Sequence, residues 1–160
     1  MVVWAAVFLA LTFVPAMMVV YYDLRYMRIP NNLVLITAAI FLLAGPFLLD
    51  FGDYLIRASL GLFVLALGFL LHLTGRVPGG DIKYAAAILP YVASNQLIEF
   101  VFILSVMGIL GVIVHRGAKW VGLAPVDWVS WQRKGAFPYG LSLVATLLFY
   151  LARAVFIAPA

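Results

Sequence analysis

Long apolar stretches alternate with short polar ones along most of the chain, and this alternation predicts helices that cross a membrane. Residues 2–22 carry no charge and have about the 20 residues that a spanning helix needs. The stretch lacks a basic leading region and a small-residue cleavage site, so it reads as a retained helix and not a signal peptide. Pro15 within it predicts a kink. A polar loop follows, Asp23-Leu24-Arg25-Tyr26-Met27-Arg28-Ile29-Pro30-Asn31-Asn32. Pro30 suits the first turn of a second helix that runs to residue 49. After an acidic turn at residues 50–53, residues 54–73 form the third span. Its Gly61 and Gly68 share one face, on which a neighbouring helix can approach closely. Residues 74–83 read as a loop, residues 84–93 as a shorter apolar segment, and Ser94-Asn95-Gln96 as a turn. Residues 98–114 are the fifth span, residues 115–137 the longest polar connection, and residues 139–157 the sixth span. The pattern predicts an all-α polytopic membrane protein of six transmembrane helices, with residues 1–160 as a single domain.

Composition fixes the solvent. Of the 160 residues, 67% are hydrophobic and 10% charged, with a mean hydropathy of +1.16. A soluble domain of this size has too little interior to hide so much apolar surface. Apolar runs of about 20 residues specify helices and not a barrel. Cysteine is absent, which excludes disulfides, thiolate metal sites and a cysteine nucleophile. Two scattered histidines, His72 and His115, do not make a zinc site, and neither a metal nor a cofactor is expected.

The net charge of +4 reflects cytoplasmic loops in contact with lipid headgroups, not a nucleic-acid partner. Arg25 and Arg28, then Arg76 and Lys83, then Arg116, Lys119, Arg133 and Lys134 fall in alternate loops. Arg57 and Arg153 are the exceptions. The positive-inside rule puts those three loops in the cytoplasm and both termini outside. Asp23 and Asp81 then lie on the same, cytoplasmic side.

Asp81 belongs to Pro78-Gly79-Gly80-Asp81-Ile82-Lys83. Two adjacent glycines free the backbone for conformations closed to other residues, and Pro78 fixes the approach. Taken alone, Gly-Gly-Asp before an apolar run reads as a helix N-cap. Length argues for more. Residues 81–93 make roughly 20 Å of helix at about 1.5 Å per residue, against a hydrocarbon core about 30 Å thick. With the Ser94-Asn95-Gln96 turn at the outer surface, Asp81 lies below the cytoplasmic interface, in a water-accessible pocket lined by irregular backbone. An ionisable residue at that depth marks a functional site.

Two carboxyls that share one proton can both activate a water and protonate a leaving amine, which is what cofactor-free peptide hydrolysis requires. Asp23 and Asp81 supply such a pair if the first and fourth helices pack together. A coupled pair titrates as a unit, so neither is assigned as base or acid. Lys83 either holds the charge of that pair or is an ordinary interfacial lysine. Asn31 either orients the Asp23 loop or caps the second helix. Asp127, in a stretch with Trp120, Trp128 and Trp131, reads as a solvated acid. Glu99, His72 and His115 read as residues near helix ends or interfaces.

The same residues carry a resemblance. Pro78-Gly79-Gly80-Asp81-Ile82-Lys83 resembles the Gly-x-Gly-Asp-x-Lys motif of the type IV prepilin peptidases, membrane aspartic proteases, with Pro78 in place of the motif's first glycine. Asp23 followed by Ile29-Pro30-Asn31 resembles the family's first catalytic aspartate and its Ile-Pro-Asn. Lys134-Gly135 with Phe137-Pro138-Tyr139-Gly140 resembles the segment that opens the family's last helix. The matches stand in family order from Asp23 to Gly140. The short chain is similar to the minimal peptidases of Flp/Tad-type pilus systems, which lack the cysteine-containing cytoplasmic insert of the larger bifunctional enzymes.

The resemblance implies an aspartic endopeptidase of the bacterial inner membrane with Asp23 and Asp81 catalytic. Pro30, Asn31, Gly79, Gly80, Lys83, Pro138, Tyr139 and Gly140 are then supporting motif residues. It implies a prepilin or pseudopilin substrate, cut on the cytoplasmic side after its basic leader and before its hydrophobic helix, with pilus-assembly machinery as a further partner. The rival from another class is an ion-coupled carrier that uses the two aspartates as ion ligands. A third reading is a non-enzymatic pilus-assembly subunit, in which both aspartates are dispensable.

Overall fold

Apolar runs of this length become helices because a backbone in hydrocarbon must satisfy its own N–H and C=O groups. The computed structural model describes residues 3–75, 78–133 and 135–157, and among these the ordered elements are all helical. Five helices are long and apolar enough to cross a membrane: α1 (Val3–Tyr26), α2 (Asn31–Leu48), α3 (Phe51–Leu73), α5 (Leu97–Trp120) and α7 (Tyr139–Phe156). Leucines and phenylalanines such as Leu43, Phe47 and Phe63 are exposed on their outer faces, where lipid replaces water.

The expected fourth span is the main departure. Residues 79–88 form α4 (Gly79–Ile88), a helix of 10 residues, or roughly 15 Å at about 1.5 Å per residue. Two 3₁₀ turns follow, Leu89–Tyr91 and Ser94–Gln96. Pro90 has no N–H with which to continue the helical ladder. The broken backbone is buried in protein and tied down by side chains. The Tyr91 hydroxyl donates to the Thr37 carbonyl at 2.6 Å, and the Ala93 N–H donates to the Tyr150 hydroxyl at 3.0 Å. That hydroxyl in turn donates to Gln96 Oε1 at 2.6 Å. The Tyr91 ring meets Phe8 edge-on at 4.9 Å and Phe41 at 5.5 Å, in the centre of the core. Five long helices and one short, broken element therefore stand where six transmembrane helices were expected.

Other boundaries move for local reasons. α1 runs on to Tyr26, so Asp23 lies in its last turn and not in a loop. Met27, at φ 53°, closes the helix by donating its N–H to the Asp23 carbonyl at 2.9 Å. Pro30 stands at the N-cap position of α2, one residue earlier than expected. α3 starts at Phe51, and Asp53 in its first turn accepts from Arg57 Nε at 2.8 Å. α1 continues through Pro15 as one helix. The long polar connection is shortened by the extension of α5 to Trp120, and it contains the short α6 (Val129–Gln132).

The close approach expected at Gly61 and Gly68 is made with α4. A methyl at Gly61 would lie 2.7 Å from Pro90 Cγ and 3.0 Å from the Ala86 carbonyl, and one at Gly68 would fall inside the Ile82 side chain. Arg57 and Arg153, the two basic residues outside the alternating loops, pair with Asp53 and Glu99. Arg76 and Lys134 lie outside the described residues. The most extensive packing is between α1 and α7, which run antiparallel, so the end of α1 meets the start of α7.

Candidate active site

The end of α1 carries Asp23 into a closed environment, with only 4% of the residue exposed. A carboxylate there faces the negative end of its own helix dipole. The compensation comes from α7. The Gly140 N–H, in the first turn of α7 and free of an intrahelical partner, donates to Asp23 Oδ2 at 2.7 Å. Gly140 is needed for this approach, because a Cβ there would lie 2.8 Å from Oδ2 and 3.1 Å from the carboxyl carbon. Pro138 is buried at the N-cap position and starts the helix at that point.

Asp81 comes from the opposite kind of helix end. It is the third residue of α4, with Pro78 and not Asp81 at the N-cap position. The capping expectation therefore fails by geometry: the helix begins at Gly79, and the Asp81 side chain stands in its first turn. Neither Gly79 nor Gly80 has a positive φ, so neither uses the conformations closed to other residues. Their small size has another use. A Cβ on Gly79 would touch the His72 ring at 3.3 Å, whereas one on Gly80 would rest 3.7 Å from Ile29 Cβ, an ordinary contact. Asp81 is half-buried, a position that disfavours an unpaired charge.

Both aspartates line one open cavity of about 1040 Å³. Its walls come from three segments far apart in sequence: the end of α1 with the following turn, the α3–α4 junction, and residues 135–139 at the start of α7. Pro30, Asn31, Gly79, Gly80, Lys83 and Tyr139 all reach this cavity, while Pro138 and Gly140 support it from behind Asp23. Asn31 does not cap α2. Its Oδ1 accepts from Lys83 Nζ at 3.3 Å, which ties the start of α2 to α4 and directs the lysine head to an amide.

Several residues turn out differently. His72 lines the cavity, which its position near a helix end did not disclose. Gly140 as the donor to Asp23 was hidden as well, because it depends on the antiparallel placement of α7. The signal present was a proline followed two positions later by glycine at a helix start, which leaves an accessible N–H. His115 is buried in the protein: it stacks on Trp131 at 4.9 Å, and the Trp131 indole N–H donates to its carbonyl at 2.9 Å. Asp127 is exposed and outside the cavity. Among the described residues, no three His, Asp or Glu side chains gather as a metal site would require. Curated proteins and solved structures gave no match to the chain. The sequence model of the type IV leader peptidase family matches residues 3–113, a range that includes both aspartates and ends before α7.

Proposed function

Because the chain belongs to the type IV leader peptidase family, we propose that it is an aspartic endopeptidase that removes leaders from prepilins or pseudopilins. In this reading it works at the cytoplasmic face of the bacterial inner membrane, with Asp23 and Asp81 as the catalytic pair. α4 and its following turns make a broken sixth crossing, and both termini lie outside. The observation that carries the reading is the opening of both carboxyls onto one cavity.

The chemistry follows from a pair holding one proton. The ionised carboxyl takes a proton from a water as the water oxygen attacks the scissile carbonyl carbon. The protonated carboxyl gives its proton to the carbonyl oxygen, forming a tetrahedral diol. Collapse breaks the C–N bond: the pair gives its proton to the leaving nitrogen and takes one from a diol hydroxyl as the C=O re-forms, which returns it to its singly protonated form. The Gly140 N–H holds one Asp23 oxygen throughout, so the carboxyl does not need to reorganise during the reaction.

The test is direct. Purified protein in lipid nanodiscs, incubated with a candidate prepilin, is expected to cut it between the basic leader and the hydrophobic helix, as mapped by mass spectrometry. An intact prepilin after incubation with folded protein refutes the peptidase reading and favours the carrier or the assembly subunit. Cysteines introduced at Arg28 and Lys119 are expected to resist an impermeant thiol reagent in intact cells. Their labelling from outside would overturn the cytoplasmic placement.

A further inference from the structure

A second depression, of about 680 Å³, shares two residues with the catalytic cavity and is otherwise almost wholly apolar. It lies between α2 and α3, which are consecutive but touch each other little, and α4 forms its floor. On α4 the lining residues Lys83, Ala86 and Ala87 follow the i, i+3, i+4 spacing of a single helix face, and Pro90 of the next 3₁₀ turn lines the trough beyond them. On α3 the same spacing runs from Ala58 to Leu65, and on α2 a stripe runs from Asn31 to Leu42. Three helix faces thus form a straight trough, roughly 17 Å long along α2 at about 1.5 Å per residue. Its floor is made of alanines and its lips are exposed leucines, including Leu35 and Leu62. Small residues on a floor let a further helix approach closely.

The shared residues are Asn31 and Lys83, whose side chains meet at 3.3 Å where the trough joins the cavity. On α4, Asp81 stands two positions before Lys83, on the cavity side of this junction. We propose that the trough is the docking site for the apolar helix of the substrate, and that the Lys83–Asn31 contact is the threshold crossed by the chain on its way to the aspartates. The proposal rests on the peptidase reading above. A leader peptidase cuts just before an apolar helix, so that helix must lie beside the carboxyls with its N-terminal end towards them. A helix in the trough has its polar end at Asn31 and Lys83 and delivers the preceding peptide bond to the cavity. Lipid chains match the apolar walls, but they give no reason for the trough to open into a polar, carboxyl-lined site.

The experiment uses the full-length protein in nanodiscs and two synthetic substrates. One has a basic leader followed by an apolar helix of about 20 residues, and the other ends shortly after the cut. A photocrosslinking amino acid at Leu35 or Leu62 is expected to capture the helix-bearing substrate. The same group at Phe102, exposed on α5 and outside the trough, is not. Leu35→Trp and Leu62→Trp are expected to lower the kcat/KM ratio of the helix-bearing to the truncated substrate by about tenfold, through KM, whereas Phe102→Trp leaves the ratio unchanged. Crosslinks from the trough only to lipid or to a second copy of the enzyme, with cleavage intact, would overturn the docking site alone, as would equal capture at Phe102. Absence of cleavage by the unmodified protein would overturn the peptidase reading and the docking site with it.

Discussion

Asp23 and Asp81 face the same cavity, but their charges are accommodated in opposite ways. Asp23 ends a full-length helix, where the dipole of α1 disfavours a carboxylate, and it is made tolerable by a donor from a distant helix, the Gly140 N–H. Asp81 begins a short helix, where its own backbone dipole favours negative charge and burial opposes it. The environment of Asp23 is therefore tertiary, and that of Asp81 is largely local. One consequence is that the geometry of Asp23 depends on α7, which lies beyond the residues matched by the family model.

Replacing each acid in turn gives the largest expected effect. Asp23→Asn and Asp81→Asn keep near-equal volume but remove an ionisable partner, and each is expected to lower kcat by about 10⁴-fold, the upper range for acid–base catalysis. The double variant is expected to be no worse than either single one, because residues acting as a unit are not additive. Substantial cleavage by either single variant, measured on prepilin in nanodiscs, would remove that residue from the mechanism. Asp127→Asn is expected to retain most activity, consistent with its exposed position.

Matched glycine substitutions probe the tertiary and local environments. Gly140→Ala pushes a methyl against the Asp23 carboxyl. A displacement of about 1 Å at a catalytic group costs on the order of 10²-fold, so a drop of that size in kcat is expected. Wild-type kcat in Gly140→Ala would show that the close approach of α7 to the Asp23 carboxyl is not needed. Gly80→Ala meets Ile29 at an ordinary distance, so its unfolding midpoint is expected to match the wild type. The added methyl projects from a cavity wall, and the expected kinetic change is a modest rise in KM with kcat preserved. Loss of folded protein in Gly80→Ala would show that the glycine serves the backbone and not the space above it.

The same contrast explains what was legible in the sequence. The helical class, the membrane setting and the close face at Gly61 and Gly68 follow from period and composition, which act locally. The residues that meet in the cavity were legible as motifs because each sits at a helix end next to a polar turn. The break in the fourth segment was half-legible. Its length fell short of a membrane, but its stop at Ile88 depends on Pro90 and on hydroxyls from Thr37's partner Tyr91 and from Tyr150, which only packing brings together. Asp23 looked like a loop residue because Arg25 and Arg28 follow it, yet the helix continues to Tyr26 and Met27 closes it. Gly140 was legible only as a free N–H at a helix start; that Asp23 accepts from it depends on the neighbouring helix.

The pH dependence of kcat for a single prepilin tests most directly whether the two carboxyls share one proton. Two coupled carboxyls lose protons in two macroscopic steps, and only the singly protonated form is competent. The rate is expected to rise as the first proton leaves and to fall as the second leaves, since the leaving nitrogen then has no acid to draw on. Burial of both carboxyls raises the cost of the doubly ionised form, which places the descending limb well above the ~3.9 of a free aspartate. The Lys83 amine is directed to Asn31, so Lys83→Met is expected to leave the limb in place. A bell with its falling limb well above about pH 4 is the predicted result; a profile that only rises with pH, or one that falls near that value, would contradict the shared-proton pair.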